Sequence, residues 1–408
     1  MSVSPARKAA FSALYAVYYK KAFASVALDQ TLKQRGVTGR DAGLATHIVY
    51  GTLRYDLSLE QHLSPFLQPH TPHKARLILK MGTLEKFYLG TPDHAVVSEY
   101  VDLAKSEIHP LAKLVNAVLR RIQPITPSFA LPDWLEKHFD QTFAKEAPAV
   151  KASLLEPTPL WLWCSEKGLK QLREENSVVN EQYAPVIQVT LDCALSEHPL
   201  YKAGHMQPIN PASYQVILAM GDVQNTRVLD LAGGNGIKAS LLALGGASVT
   251  SIDIHAKKHD AARRNMRRLG VSANFISADL TQRLDIPQAK KVLLDAPCSG
   301  TGTLRSHPEI KLRLSPEAIE ELGTLQDTLI QNAAQMVCPG GTLVFSVCSI
   351  THREGDAVIE HFLKTHANFQ IDMPESLLPH RKTPFGLYTL PTDGIDGFYI
   401  ARLKRNPS

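Results

Sequence analysis

Two stretches of the sequence place a cysteine directly after an apolar run. "KKVLLDAPCSGTG" contains Asp295 and Cys298, and "GGTLVFSVCSI" contains Cys348. A thiol is nucleophilic as the thiolate, which is only a few per cent of an unperturbed cysteine at neutral pH, so a nucleophilic cysteine needs a nearby cation or base. We therefore expect covalent chemistry at one of these cysteines. The candidate activating groups in neighbouring loops are Lys238, Arg305 and His307.

A third stretch, "DLAGGNGIKAS", is a glycine-rich turn between a predicted strand and a predicted helix. Its glycines let the backbone approach a ligand, and the helix presents free N–H groups there, although a plain strand-to-helix turn also needs glycine. Asp253, at the end of the next strand, suits a ribose hydroxyl. There is no GxxxxGK[ST] phosphate loop, and the acid Asp230 suits a cationic ligand better than a pyrophosphate. S-adenosylmethionine (SAM) is therefore favoured over NAD and nucleoside triphosphates.

Asp279, in "ISADL", follows a third predicted strand. It could face the adenine edge of the cofactor or cap the N-terminus of a helix, and the sequence leaves both open. The residues predicted to bind the cofactor are Asp230, Ala232, Gly233, Gly234, Asn235, Gly236, Asp253, Asp279 and Asp295.

The elements that must position these residues are apolar strands alternating with helices from about Met206 onward. This pattern predicts a parallel α/β sheet, in which ligands bind at the carboxyl ends of the strands. A late pair near "FQIDM" and "GFYIARL" is expected to form an antiparallel edge. The five strands of the parallel core are predicted at "TRVLDLA", "SVTSIDI", "ANFISAD", "KKVLLDA" and "GTLVFSVCS".

The first part of the chain differs in pattern and charge. Apolar residues at helical spacing in "ARKAAFSALYAVYYKKA" and "LAKLVNAVLRRI" predict an all-helical domain over residues 1–127. Prolines at 124, 127 and 132 mark its end. Residues 128–205 are predicted to be a small α/β, RRM-like module with strands at "LWLWCSE" and "VIQVTLD", and residues 206–408 the catalytic domain.

Basic residues are concentrated at the front of the chain. Residues 1–124 contain 16 Lys and Arg against 9 Asp and Glu, whereas the whole chain has 44 against 39. A basic domain suits a polyanionic partner. A second basic stretch, "AKKHDAARRNMRRLG", carries Arg263, Arg264, Arg267 and Arg268 and fits either RNA contact or a solvated helix face. The candidate phosphate contacts of the front domain are Arg7, Lys8, Lys20, Lys21, Arg120 and Arg121.

The remaining composition sets limits. Cys164, Cys193 and Cys338 are expected to be small buried hydrophobic residues, and without a CxxC or HExxH pattern we expect neither disulfides nor a metal site. No run approaches the roughly 20 apolar residues that span a bilayer, and the first residues lack a signal-peptide pattern. We expect a cytoplasmic, monomeric protein without a membrane partner.

The two cysteine stretches, "DAPCSGTGTLRSHPEIK" and "GGTLVFSVCSI", resemble motifs IV and VI of the RNA 5-methylcytosine methyltransferases. Within that family the chain is most similar to members that act on small-subunit ribosomal RNA and carry a NusB-like helical domain. The segments "GTLRYDLSLEQHL", "VNAVLRRI", "INPASYQ" and "DGFYIARL" match their pattern. The resemblance implies a NusB-like RNA-binding domain followed by a Rossmann-like, SAM-dependent methyltransferase domain.

The resemblance also implies roles for four residues. Cys348 is the nucleophile that adds to cytosine C6, and Cys298 assists product release. Asp295 hydrogen-bonds the cytosine ring, and Lys238 lies beside the base. The glycines after Cys298 are expected to make room for the flipped base.

One departure from the family concerns the glycine-rich turn. The family usually has Cys-Ala-Ala-Pro-Gly-Gly-Lys there, whereas Ala232 to Lys238 reads "AGGNGIK". This turn is closer to the general D-x-G-x-G-x-G pattern, with Ala232 in the place of the first glycine. Two alternative functions stay open. The protein could methylate tRNA or another rRNA site, or it could be an RNA-binding assembly factor that has lost SAM binding through the altered turn.

Overall fold

The strands predicted after residue 206 belong to a nine-stranded sheet with a parallel centre, and helices connect the parallel strands. In the computed structural model, which describes residues 3–124 and 130–407, the chain divides into two compact units. The first comprises Met1–Asp140 with Leu304–Arg313, and the second comprises Gln141–Thr303 with Leu314–Ser408. The predicted boundary between residues 127 and 128 lies outside the described residues. The boundary between residues 205 and 206 stays a prediction.

The first unit is helical, as predicted. The apolar stripe of the first helix is buried, including Ala10, Leu14 and Val17, and so is that of the seventh, including Val115 and Leu119. These stripes meet in one core. The helices are α1 (Pro5–Lys20), α2 (Ala24–Arg35), α3 (Gly39–Arg54), α4 (Asp56–Leu63), α5 (His73–Tyr88), α6 (Asp93–Ile108) and α7 (Ala112–Arg121), and α8 (Asp133–Phe143) begins in this unit.

The segment Leu304–Arg313, distant in sequence, completes the first unit. Glu309 is fully buried and accepts a hydrogen bond from the Ala24 N–H at the start of α2, at 3.1 Å. Arg313 donates to the carbonyls of Val17 and Lys21 at the end of α1, at 3.0 Å each. An anion at a helix N-terminus and a cation at a C-terminus both complement the helix dipole, so these charges stabilise the turn between the two helices.

The second unit begins with α9 (Ala147–Ser153) and a four-stranded antiparallel sheet in the order β2-β3-β1-β4. The two strands predicted at "LWLWCSE" and "VIQVTLD" are confirmed as β1 and β3, and the segment "GLKQLREENSV" between them, whose pattern is helical, forms most of α10. The RRM-like assignment of this module stays a prediction. Its elements are β1 (Leu160–Cys164), α10 (Glu166–Glu174), β2 (Val178–Asn180), β3 (Val186–Val189), α11 (Pro199–Lys202) and β4 (Met206–Pro208).

The large sheet has the order β11-β12-β13-β9-β8-β5-β6-β7, with β10 paired to β13. Strands β7, β6, β5, β8 and β9 are parallel, and β13 is antiparallel to β9 and to β10, which confirms the predicted antiparallel pair. The pair does not form the edge of the sheet, because β12 and β11 follow β13. The elements are α12 (Pro211–Ala219), β5 (Arg227–Leu231), α13 (Ile237–Leu244), β6 (Ser248–Asp253), α14 (Ala256–Leu269), β7 (Asn274–Ser277), β8 (Ala289–Asp295), α15 (Pro316–Gln335), β9 (Val337–Val347), α16 (Asp356–Thr365), β10 (Phe369–Ile371), β11 (His380–Lys382), β12 (Leu387–Thr389) and β13 (Tyr399–Arg405).

The parallel strands β5, β6 and β9 are buried along most of their length, which is why they read as apolar runs in the sequence, whereas the edge strand β7 is partly exposed. Their carboxyl ends carry the predicted acids and lead into the cysteine loops. Within residues 3–124 and 130–407, no helix is both long and apolar enough to cross a membrane.

Candidate active site

The two predicted catalytic cysteines lie side by side. The Sγ atoms of Cys298 and Cys348 are 3.3 Å apart, and both residues are half-buried. The hydrogen bond with Cys348, and then burial, raise the pKa of Cys298 well above its usual value. Cys298 is therefore held as the neutral thiol.

Lys238 and Asp295 form an ion pair in the same unit. The Lys238 Nζ atom donates to Asp295 Oδ2 at 2.6 Å, and Ser346 donates to Oδ1 at 2.8 Å. Ser346 is opposite Asp295 in the register of β8 and β9. Burial lowers the pKa of Lys238, but the charge and hydrogen bond of Asp295, and to a lesser extent Cys348, raise it, so its pKa lies above its usual value. Asp295 thus holds Lys238 as the ammonium.

The glycine-rich loop after Cys298 is packed against the backbone of another loop. Gly302 donates from its N–H to the Cys348 carbonyl at 3.0 Å and accepts from the Gly397 N–H at 2.8 Å. A Cβ atom on Gly302 would lie 1.8 Å from the Gly397 carbonyl oxygen. The interpretation that these glycines make room for a flipped base is wrong for Gly302, because its space is filled by protein backbone.

The predicted cofactor turn has the strained backbone that its glycines suggest. Ala232, Gly234 and Gly236 have φ values of 58°, 54° and 71°. A Cβ atom on Gly233 would lie 2.1 Å from Ser251 Oγ and 2.2 Å from Asp230 Oδ2. Only glycine therefore fits at position 233, whereas Ala232 holds a left-handed conformation that normally favours glycine.

Asp230 lies beneath this turn and is fully buried. It accepts a hydrogen bond from Ser251 Oγ at 2.8 Å, and its Oδ1 atom has no hydrogen-bond partner among the described residues. Burial raises the pKa of Asp230 to about 7, against the lowering effect of the Ser251 hydrogen bond. The carboxyl group is thus easily protonated, and its direct contact with a ligand stays a prediction.

The other two acids differ in burial. The Asp253 carboxylate is buried and accepts hydrogen bonds from the N–H groups of Gly234 at 3.0 Å and His255 at 2.8 Å. It therefore connects the end of β6 to the glycine-rich turn. Asp279 is exposed and accepts from the N–H and hydroxyl of Thr281, which lower its pKa. The residues after Asp279 form a turn, so its interpretation as a helix N-cap is wrong.

Several predicted basic contacts are corrected by the structure. Arg7 is an interior ion-pair partner of Glu85 and is not a phosphate contact, because its charge is satisfied within the helical core. Lys8 is half-buried, whereas Lys20, Lys21, Arg120 and Arg121 are exposed. Arg305 and His307 belong to the helical unit, where His307 lies 3.7 Å from Glu309.

In the arginine helix α14, Arg263, Arg264 and Arg267 are exposed. Arg268 instead donates to the carbonyls of Tyr201 and Met206, at 2.7 and 2.8 Å. It is a packing residue of the second unit and is not available to RNA. Among the other cysteines, Cys164 is buried as expected, but Cys193 is exposed. Its interpretation as a buried hydrophobic residue is therefore wrong.

Sequence reasoning missed two polar residues of the site, Ser346 and Glu354. Ser346 ends a buried strand and could have been found from the register of adjacent parallel strands. Glu354 lies in the short turn after Cys348, and a single acidic residue before a helix has no sequence pattern that marks it as part of a site. Among the described residues, no cluster of three or more His, Cys, Asp and Glu side chains could hold a metal ion.

The comparisons with known proteins agree with the fold. A family model described as 16S rRNA methyltransferase RsmB/F matches residues 216–404, and the NusB family model matches residues 4–124. The solved structure of PH0851 has a TM-score of 0.83 at 20% identity and covers 99% of this chain and 100% of that chain. NSun6 from Pyrococcus horikoshii, solved with SFG, has a TM-score of 0.60 at 17% identity and covers 68% and 99%.

The fold and the site define a SAM-dependent methyltransferase with a NusB-like helical domain. The chain is 39% identical over 391 residues to ribosomal RNA small subunit methyltransferase B of Thermus thermophilus, covering 94% of this chain and 93% of that protein. It is 28% identical to the probable enzyme of the same name from Bacillus subtilis, covering 99% and 100%. The chain belongs to the ribosomal RNA small subunit methyltransferase B family.

Proposed function

We propose that this methyltransferase forms 5-methylcytosine in small-subunit ribosomal RNA, with Cys348 as the nucleophile. The observation that carries the proposal is the 3.3 Å separation of Cys298 and Cys348 in a site that also holds the Lys238–Asp295 pair. An enzyme that transferred methyl groups to an amine or hydroxyl would need no nucleophilic thiol.

The chemistry explains why a thiol is needed. Cytosine C5 is a poor nucleophile, so the Cys348 thiolate first adds to C6, and the electrons of the C5–C6 double bond become available at C5. SAM supplies the methyl group. Cys298, as the thiolate, then takes the C5 proton, which restores the double bond as the C6–S bond breaks and releases Cys348 as its thiolate.

The remaining residues support these steps. Asp295 hydrogen-bonds the cytosine at N3 or its amino group, which favours the adduct, and the Lys238 ammonium stabilises the thiolate of Cys348. Once Cys348 is bonded to C6, its hydrogen bond no longer raises the pKa of Cys298, so Cys298 can lose its proton to solvent and act as the base that assists release.

The residues of the glycine turn fit SAM. SAM carries a sulfonium and an ammonium group, and three acids lie at the carboxyl ends of β5, β6 and β8: the buried Asp230 beneath the turn, Asp253, and Asp295, which is paired with Lys238. Asp230 Oδ1 has no partner among the described residues, so the turn retains acceptor capacity. Asp253 is positioned by the Gly234 N–H to accept a ribose hydroxyl, and Asn235 is exposed at the same turn.

The substrate base must leave its stack to reach these thiols, at a cost of a few kcal/mol that is smaller in a loop or bulge. We therefore propose a single-stranded or loosely paired cytosine as the target. The exposed Lys20, Lys21, Arg120 and Arg121 are proposed to hold the surrounding phosphates.

The proposal is tested by methyl transfer from labelled SAM to unmodified small-subunit rRNA, followed by nucleoside mass spectrometry. We expect label in 5-methylcytidine with the wild-type chain and none with Cys348→Ser. Label in another nucleoside, or equal transfer to tRNA, would contradict the proposed product or substrate. Calorimetric titration with SAM distinguishes an enzyme from an assembly factor that does not bind it.

A further inference from the structure

Glu354 is a fully buried carboxylate between the two cysteine loops. It belongs to the turn that follows Cys348 and precedes α16. Burying a charge without partners is costly, and such groups are normally satisfied by several hydrogen bonds. The donors to its carboxylate are the Ser299 N–H at 2.7 Å, the Ser299 hydroxyl at 2.6 Å, the Ser349 hydroxyl at 2.6 Å, the Thr351 hydroxyl at 2.8 Å and the Gln326 amide at 3.2 Å.

These donors come from both sides of the thiol pair. Ser299 directly follows Cys298, and Ser349 directly follows Cys348. The loops are also linked without the carboxylate, because Thr301 and Ser349 hydroxyls are 3.0 Å apart and the Ile350 N–H donates to Thr301 Oγ1 at 3.1 Å. Glu354 is the charged centre of this otherwise neutral hydroxyl network, and hydrogen bonds to a charged group are stronger than neutral ones.

We propose that Glu354 is a positioning residue that holds the Cys298 and Cys348 loops together, so that one thiol stands beside the other during adduct formation and release. The proposal rests on the proposed function for the use of the two thiols in catalysis. The negative charge of Glu354 also contributes to the raised pKa of Cys298, after the Cys348 hydrogen bond and burial.

The two oxygens of Glu354 have different donors, which gives a sharp test. Oε1 accepts from the Ser299 backbone N–H, which can only donate, and from the Gln326 Nε2 group. Oε2 accepts from three hydroxyls, which can rotate and accept instead. The glutamine of Glu354→Gln can therefore keep its carbonyl oxygen at the position of Oε1 and donate from its NH2 group at the position of Oε2. Glu354→Ala loses all of the side-chain hydrogen bonds.

The experiment compares Glu354→Gln and Glu354→Ala, with Glu360→Gln as the matched control because Glu360 lies on the exposed face of α16 and pairs with Lys364. We expect kcat to fall about 100-fold in Glu354→Ala and less than tenfold in Glu354→Gln, since misplacement of reacting groups by about 1 Å has an effect of this size. KM for SAM should be unchanged. Equal losses in both variants would overturn a positioning role.

Alkylation by iodoacetamide tests the geometry without RNA or SAM. We expect Cys298 and Cys348 to be alkylated at least several-fold faster in Glu354→Ala than in wild type or Glu360→Gln, and unchanged rates would overturn the proposal. If these rates change while the wild-type chain makes no 5-methylcytosine, the positioning role holds and the proposed function fails. If Glu354→Ala does not fold, the same measurement is made on Ser299→Ala, which removes one of the hydroxyl donors to Glu354. We expect faster alkylation of Cys298 in this variant, and an unchanged rate would contradict the proposal.

Discussion

Cys298 Sγ lies 3.3 Å from Cys348 Sγ, on loops that leave the adjacent parallel strands β8 and β9. The strands pair with Asp295 opposite Ser346, so both loops begin at the same level of the sheet. This arrangement is the basis of the proposed roles, in which Cys348 is the nucleophile and Cys298 assists release.

Removal of Cys298 should trap the reaction after the covalent step. In Cys298→Ala, Cys348 can still add to cytosine C6, but the group that assists release is missing. We expect a protein–RNA band that survives a denaturing gel when RNA and SAM are present. The double variant Cys298→Ala/Cys348→Ala should give no band, and a Cys298→Ala sample free of adduct would exclude the release role.

Asp295→Asn should impair activity more than stability. The Lys238 ammonium would lose its carboxylate, but the two side chains are 13% and 29% exposed, so we expect a loss of about 1–2 kcal/mol of unfolding free energy, below the cost of breaking a dry ion pair. Methyl transfer should fall about 100-fold. Adding Lys238→Met should recover part of the stability and none of the activity. Wild-type activity in Asp295→Asn would contradict its role at the cytosine.

Substitutions at two neighbouring positions of the glycine-rich turn should change the unfolding free energy in opposite directions. Ala232→Gly removes a left-handed alanine that costs roughly 1–2 kcal/mol, partly offset by the greater unfolded-state entropy of glycine, so the unfolding free energy should rise by up to about 1 kcal/mol. Gly233→Ala should lower it by about 1–3 kcal/mol, because its Cβ atom would overlap Asp230 and Ser251. Urea unfolding measures both. Destabilisation by Ala232→Gly would show that the alanine makes a needed contact.

Asp230 predicts a pH dependence of stability. Its pKa is raised from 3.8 to about 7 in the folded state, so its protonated form is favoured by folding. This contribution is fully present below the unfolded pKa and is lost as pH rises through about 7. Relative to Asp230→Asn, the wild-type chain should lose about 2–3 kcal/mol of unfolding free energy between pH 5 and pH 8. A constant difference between the two proteins would contradict this effect.

Lys20 and Lys21 should contribute to RNA affinity without contributing to stability. Both are exposed, and each phosphate that a lysine neutralises changes the slope of log affinity against log salt by about 0.7 for single-stranded RNA. Lys20→Ala/Lys21→Ala should therefore flatten this slope by up to about 1.4. Arg7→Ala is the contrasting variant, since it leaves Glu85 buried without its partner and should lower stability by about 3 kcal/mol. An unchanged salt slope in the lysine variant would exclude these phosphate contacts.

The fold of the second unit was largely predictable because most of its parallel strands are buried, apolar runs that end in or just before an acid or a cysteine. Asp295 and Cys348 could be placed at one rim from strand order alone. The hairpin β11–β12 was not predicted, since strands of three residues leave no periodic pattern. The charge pattern also could not show that Arg7 and Arg268 are internal, because a buried ion pair or carbonyl contact has the same sequence signature as a surface cation.

The site was predictable where a residue type is rare and was not where it is common. Cysteines after strand ends stood out, whereas Glu354, Ser299 and Ser349 are ordinary residues whose role depends on their meeting in the interior. The packing of Gly302 against Gly397 was hidden for the same reason, since the contact joins residues far apart in the chain.

The central claim is that the enzyme forms 5-methylcytosine in small-subunit rRNA with Cys348 as the nucleophile. Bisulfite sequencing of that RNA tests the claim most directly. RNA from cells with the gene, without it, and with the Cys348→Ser variant would be compared. We predict one cytosine that resists conversion only when the wild-type gene is present. A resistant cytosine that persists with Cys348→Ser, or a conversion pattern that is the same with and without the gene, would contradict the claim.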